Sequence, residues 1–130
     1  ALQLGQTRIE NPIAAAQTID QRAYALLHSY AAIVEEATDI VADPATPLAF
    51  KRALGQAERA ATPSAETLQI AVTAYMRARA DFDAAATANQ TTIQRAATAL
   101  SIAARHLNEA VAAAQAPIAE LEGLVRARRG

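Results

Sequence analysis

Apolar residues recur at seven-residue intervals through the last third of the chain. Ile93, Leu100, Leu107, Ala114 and Leu121 form one row. Ala97, Ala104, Val111, Ile118 and Val125 form a second, four positions on. This spacing is the seam of a helix packed nearly parallel to its neighbours. Both rows hold their register across Pro117, and Ala116 before it is a poor helix cap. The pattern therefore predicts one helix over 92–128, kinked near Pro117 rather than ended there.

The same stripes appear upstream. Ile19, Leu26, Ile33 and Ile40 lie seven apart. Leu27, Val34 and Val41 lie beside them, and Ala23, Tyr30 and Ala37 complete a broad apolar face. Phe50, Leu54, Ala57 and Ala61 mark a shorter stripe. Leu68, Ala71, Tyr75, Ala78, Phe82 and Ala85 alternate in steps of three and four. Asn11-Pro12, Thr46-Pro47 and Thr62-Pro63 each set a good capping residue before a proline at a first helical position. Asp43-Pro44 disfavours helix at Asp43. Helices over 12–42, 47–61 and 63–88 follow. Thr7 with Glu10 forms a capping-box pair, so the first helix starts a turn earlier in one reading. Asn89 is expected as a left-handed C-cap, and Thr91 with Gln94 as the box opening the last helix. The fold class is all-α, an antiparallel up-down four-helix bundle with one short helix. Joining the second and third segments into one bent rod gives the alternative, a three-helix bundle. In the four-helix form the end of the last helix lies beside the start of the first. Ile118, Leu121 and Val125 would then pack on Ile9 and Ile13, near Leu2 and Leu4.

Composition sharpens this picture. A chain of 130 residues fits one domain with a real core. Alanine occupies 37 positions, while glycine occupies 4 and proline 5. Alanine is the strongest helix former and loses no side-chain entropy, so long helices with small-residue seams are expected. A net charge of −1 lacks the basic excess of a nucleic-acid binder. Lys51 is the lone lysine beside 11 arginines, and this alanine and arginine bias points to a bacterial source. With no cysteine, disulfides, thiolate chemistry and cysteine-ligated metals are excluded. No stretch is long and apolar enough to span a membrane. A start at Ala1 rather than Met reads as the processed end of an exported, periplasmic protein or as a trimmed start. Peripheral or lipid-tethered membrane association is compatible with this.

Reactive constellations are missing from the sequence. No Glu is followed three residues later by His, as a di-iron bundle needs; His106 and Glu109 give the reverse order once. His28 and His106 sit on the shoulders of their stripes, so haem ligation by both is the lesser reading. His106 beside Arg105 and Glu109 reads as a solvated ion pair. Ser29, Tyr30, Ala31 and Ala32 follow His28, where a phosphotransfer histidine has Lys and Gly. Gly5, Gly55, Gly123 and Gly130 are isolated, and no nucleophile elbow or phosphate loop occurs. No cofactor and no catalysis are expected.

Charge placement leaves two candidate interaction sites. Glu35, Glu36, Asp39 and Asp43 crowd the last turns of the first helix, where negative charge opposes the helix dipole. Lys51 and Arg52, across the next turn, are the expected partners, with a cation or basic partner as the functional alternative. Arg126, Arg128 and Arg129 end the last helix, where they suit the dipole and could also meet an acidic partner or anionic surface. Asp20 interrupts an apolar row and needs a partner, such as an arginine. Ile70 and Ile102 lie off their stripes and together mark a candidate partner surface. The expected function is a non-catalytic accessory or protein-interaction subunit that binds a protein partner or itself. The alternative is a bundle that holds haem or another ligand.

Overall fold

The computed structural model describes residues 12–129, with side chains from Ile19 onward. Among the described residues three long helices make the fold: α1 (Pro12–Ala42), α2 (Leu48–Ala84) and α3 (Gln90–Arg129). A single 3₁₀ turn, Ala85–Thr87, links α2 to α3. At about 1.5 Å per residue the helices are roughly 46, 55 and 60 Å long. Short connections reverse the chain twice, so α1 and α3 run the same way and α2 runs against both. The antiparallel α2–α3 pair is the most extensive contact, and α1 packs along one side of it.

The described residues thus form three helices, where four were expected. The segments expected over 47–61 and 63–88 are one helix that runs through Pro63. Proline removes an N–H donor and crowds the carbonyl four residues back, so it usually ends a helix. Here the buried row Leu54, Ala57, Ala61, Ala65 and Leu68 continues across Pro63 in steps of three and four. Continuous burial holds the rod together over one missing hydrogen bond. Thr62 does not act as a cap. Its hydroxyl pairs with that of Tyr30 on α1 at 2.8 Å. α3 likewise runs unbroken through Pro117.

Two other expected caps, Thr46 and Asn89, are used differently, and Asp43 closes the turn between α1 and α2. The buried Thr46 hydroxyl donates to the Ile40 carbonyl at 2.7 Å, tying the α1 end to the turn. Asp43 Oδ1 accepts from the Ala45 N–H at 2.9 Å, a local turn that competes with further helix. Among the described residues none has a positive φ, so Asn89 is not a left-handed C-cap. It is the N-cap of α3, with Oδ1 accepting from the Thr92 N–H at 2.8 Å. The Thr7–Glu10 box lies outside the described residues.

Among the described residues, nine of the 21 buried hydrophobic side chains are alanine. The expected rows are largely the buried ones: Leu100, Leu107, Ala114, Leu121, Val111, Ile118 and Val125 on α3, and Ala23, Ile33, Ala37 and Ile40 on α1. Ala97 and Val41, placed in those rows by spacing, are exposed. The α3 end does not lie beside the α1 start. With parallel α1 and α3, Val125 instead shares a cavity wall with Ile33, near the end of α1. The contacts expected with Leu2, Leu4, Ile9 and Ile13 fall outside the described side chains.

Candidate functional site

Three places concentrate chemistry. The first is the end of the bundle where α1 and α3 both terminate. Two negative dipole ends stand side by side there, and the α3 arginines complement them. Arg129 Nε lies 3.4 Å from Glu36 Oε1. Arg126 pairs instead with Glu122 on its own helix at 2.6 Å. Asp39, Asp43, Arg128 and Arg129 line one cavity of about 340 Å³. The acidic and basic clusters are therefore brought together, with Glu35 exposed outside the lining. Lys51 and Arg52, the expected partners, form no ion pair among the described residues; the cations come from α3. These contacts are about half exposed, so each contributes little. Of the acidic cluster, Glu36 is ion-paired with an arginine of α3.

The second place is internal. Asp20 on α1 stands near Tyr75 and Arg79 of α2. Tyr75 is fully buried, and among the described residues neither its hydroxyl nor Asp20 Oδ1 has a hydrogen-bond partner. Burial raises the Asp20 pKa above 3.8, and the positive charge of Arg79 opposes that rise. Burial also raises the Tyr75 hydroxyl, with Arg79 pulling it down and Asp20 pushing it up. The arginine expected for Asp20 is thus Arg79, but the two form no ion pair among the described residues. Arg79 lies near enough to the Tyr75 hydroxyl to pull on it, without the geometry of a formed hydrogen bond.

A carboxyl whose pKa is raised by folding keeps its proton to a higher pH in the folded chain than in the unfolded one. The folded state then binds a proton that the unfolded state has lost, so stability falls as pH rises from 3.8 through the folded value. Asp20→Asn should therefore be more stable than wild type at neutral pH. The gap should close as pH falls toward 3.8. Urea midpoints of both proteins from pH 3.5 to 7, about the carboxylate range, read this directly; a gap that widens on acidification would reverse the assignment.

The third place is the face of the α2–α3 pair that α1 leaves uncovered. A groove of about 770 Å³ runs along it, floored by alanines including Ala71, Ala74, Ala103 and Ala110. Ile70 and Ile102 stand in it, 70% and 41% exposed. A neighbouring hollow of about 480 Å³ extends it past Arg77 and Asp81. Ile70 and Ile102 were separable from the core by their spacing; that they share one groove depends on how α2 and α3 pair.

His106 and Glu109 line this groove but form no ion pair among the described residues. His28 lies exposed on α1 and shares no described cavity with His106. No group of three His, Asp or Glu residues among the described ones converges as a metal site. No described helix is long and apolar enough to cross a membrane. No known protein family matches the chain, and no curated protein or solved structure matches it either.

Proposed function

We propose that this chain is a non-catalytic helical-bundle interaction subunit whose working surface is the α2–α3 groove. One observation carries the reading: two large aliphatic side chains, Ile70 and Ile102, stand exposed in a single alanine-floored channel. Single exposed apolar residues are ordinary; two that share a long groove are the kind of patch that marks a contact site. The alanine floor leaves room for a helix axis to approach closely, and the channel is open along its length. Its shape suits an amphipathic helix laid in a groove, with apolar anchors spaced by one or two turns.

A photo-reactive side chain at position 102 tests this in cells that make the protein. Position 24, where exposed Tyr24 lies on α1, is the control. Cross-links should be several-fold more abundant at 102, and the captured segment should read as an amphipathic helix. Equal yields at both positions, or capture of non-helical segments, would overturn the assignment.

A further inference from the structure

The face that holds the groove carries more than apolar anchors: the charges along its two exposed stripes are arranged so that the face complements itself. On α2 the exposed stripe reads Glu66, Ile70, Thr73 and Arg77. On α3 it reads Arg95, Ala99, Ile102, His106 and Glu109. Both advance in steps of three and four, so each stays on one side of its helix. Levels along the pair follow from the turn that joins Ala84, the last residue of α2, to Gln90, the first of α3. Ile70 stands roughly four helical turns below that junction and Ile102 a little over three. Their levels differ by about 3 Å. Arg77 and Arg95 both lie within roughly two turns of the junction. Glu66 and Glu109 both lie roughly five turns from it. The face therefore has a basic band near the turn, an acidic band far from it, and two isoleucines midway. All four band residues are exposed, and none forms an ion pair within the described chain. Arg77 and Glu109 line the two hollows, and Glu66 and Arg95 stand one helical turn beyond Ile70 and Ala99 on the same stripes; Asp81, nearer the turn than the basic band, and His106, beside the isoleucines, are the other titratable lining groups.

Turned end for end, this face presents acid to base and base to acid, with isoleucines meeting at the centre. We propose that the occupant of the groove is a second copy of this chain, docked face to face about a two-fold axis that crosses the helices. The proposal rests on the interaction reading above and names its partner. In this arrangement α2 lies antiparallel over α2 of the partner copy, and α3 over α3. Arg77 of each copy faces Glu66 of the other, and Arg95 faces Glu109. A two-fold axis along the helices would stack like bands on each other, so charge selects the crossing axis. The contact is isologous and closes at two copies. It gives the exposed side of the α2–α3 pair the cover that α1 gives the other.

Sedimentation of the purified chain at high micromolar concentration should show twice the 13.6 kDa chain mass. Ile102→Arg should leave the helical content intact and return the protein to monomer. Two charge-reversed variants test the register. One carries Arg77→Glu with Arg95→Glu, and the other Glu66→Arg with Glu109→Arg. Each alone should self-associate at least about tenfold more weakly, because every cross-copy pair becomes repulsive. An equimolar mixture of the two should restore the dimer, because every pair becomes attractive again. A monomeric wild type overturns the proposal, as does a dimer indifferent to Ile102→Arg or a mixture that stays monomeric. A monomeric wild type whose position 102 still cross-links to a helix of another protein would sink the second copy and leave the interaction reading standing.

Discussion

Replacing Pro63 with alanine is expected to stabilise the protein by about 2 kcal/mol. The residue sits inside the 37-residue α2, where proline deprives the Arg59 carbonyl of its donor and crowds it. An interior proline is unfavourable by ~3 kcal/mol relative to alanine. Part of that is offset because proline also restricts the unfolded chain, worth ~0.4–1 kcal/mol. Pro63 is exposed, so its removal leaves no cavity. The urea midpoint should rise with an unchanged slope. If Pro63 instead opened a separate helix, its fixed φ would favour that start, and alanine would be neutral or destabilising. The sign of the change therefore separates one rod from two.

The same residue shows where the sequence was legible and where it was not. Pro117 and Pro63 present one problem: an apolar row that crosses a proline in register. At Pro117 the preceding Ala116 offers no cap, and the row decides. At Pro63 the preceding Thr62 is a strong capping type, and local chemistry argues for a break. The structure follows the row in both cases. The Thr62 hydroxyl is engaged by Tyr30, 32 residues away, and no local pattern carries that contact. Thr46 repeats the lesson, since its hydroxyl reaches back to Ile40 instead of forward to α2. Seven-residue periodicity reports burial over tens of residues, whereas a capping residue reports only which bonds its side chain is able to make.

Helix number then determines which ends meet. An even count would set the terminus of the last helix beside the start of α1; an odd count sets it beside the end. The carboxylates of α1 and the arginines of α3 each stand out in the sequence as charge clusters. Their pairing, with Arg129 3.4 Å from Glu36, follows only from the odd count. Asp20 is similar. A carboxylate on an apolar row announces the need for a partner, but the choice of Arg79 among 11 arginines belongs to the packing of α1 on α2. For the groove the sequence supplied two off-stripe isoleucines, and the α2–α3 turn supplied the register that brings them level.

Leu107→Ala is expected to be among the most damaging truncations, lowering stability by about 3 kcal/mol and the melting midpoint by roughly 10 °C. The side chain is fully buried in α3, midway along the seam between Leu100 and Ala114. Among the described residues alanine fills nine of 21 buried hydrophobic positions, and only six of the larger residues are fully buried. Each such anchor therefore carries a large share of the apolar area removed from water. The neighbouring alanines are too short to close the space left by a lost isobutyl group. The cavity should persist, and cavity cost adds to the lost transfer energy. Ala114→Gly, further along the same seam, removes a single methyl and changes backbone propensity, by ~1 kcal/mol. Thermal melts of the two variants should therefore separate clearly. Comparable losses would mean that the seam adjusts around Leu107, as a loosely packed bundle would and a close-packed three-helix core would not.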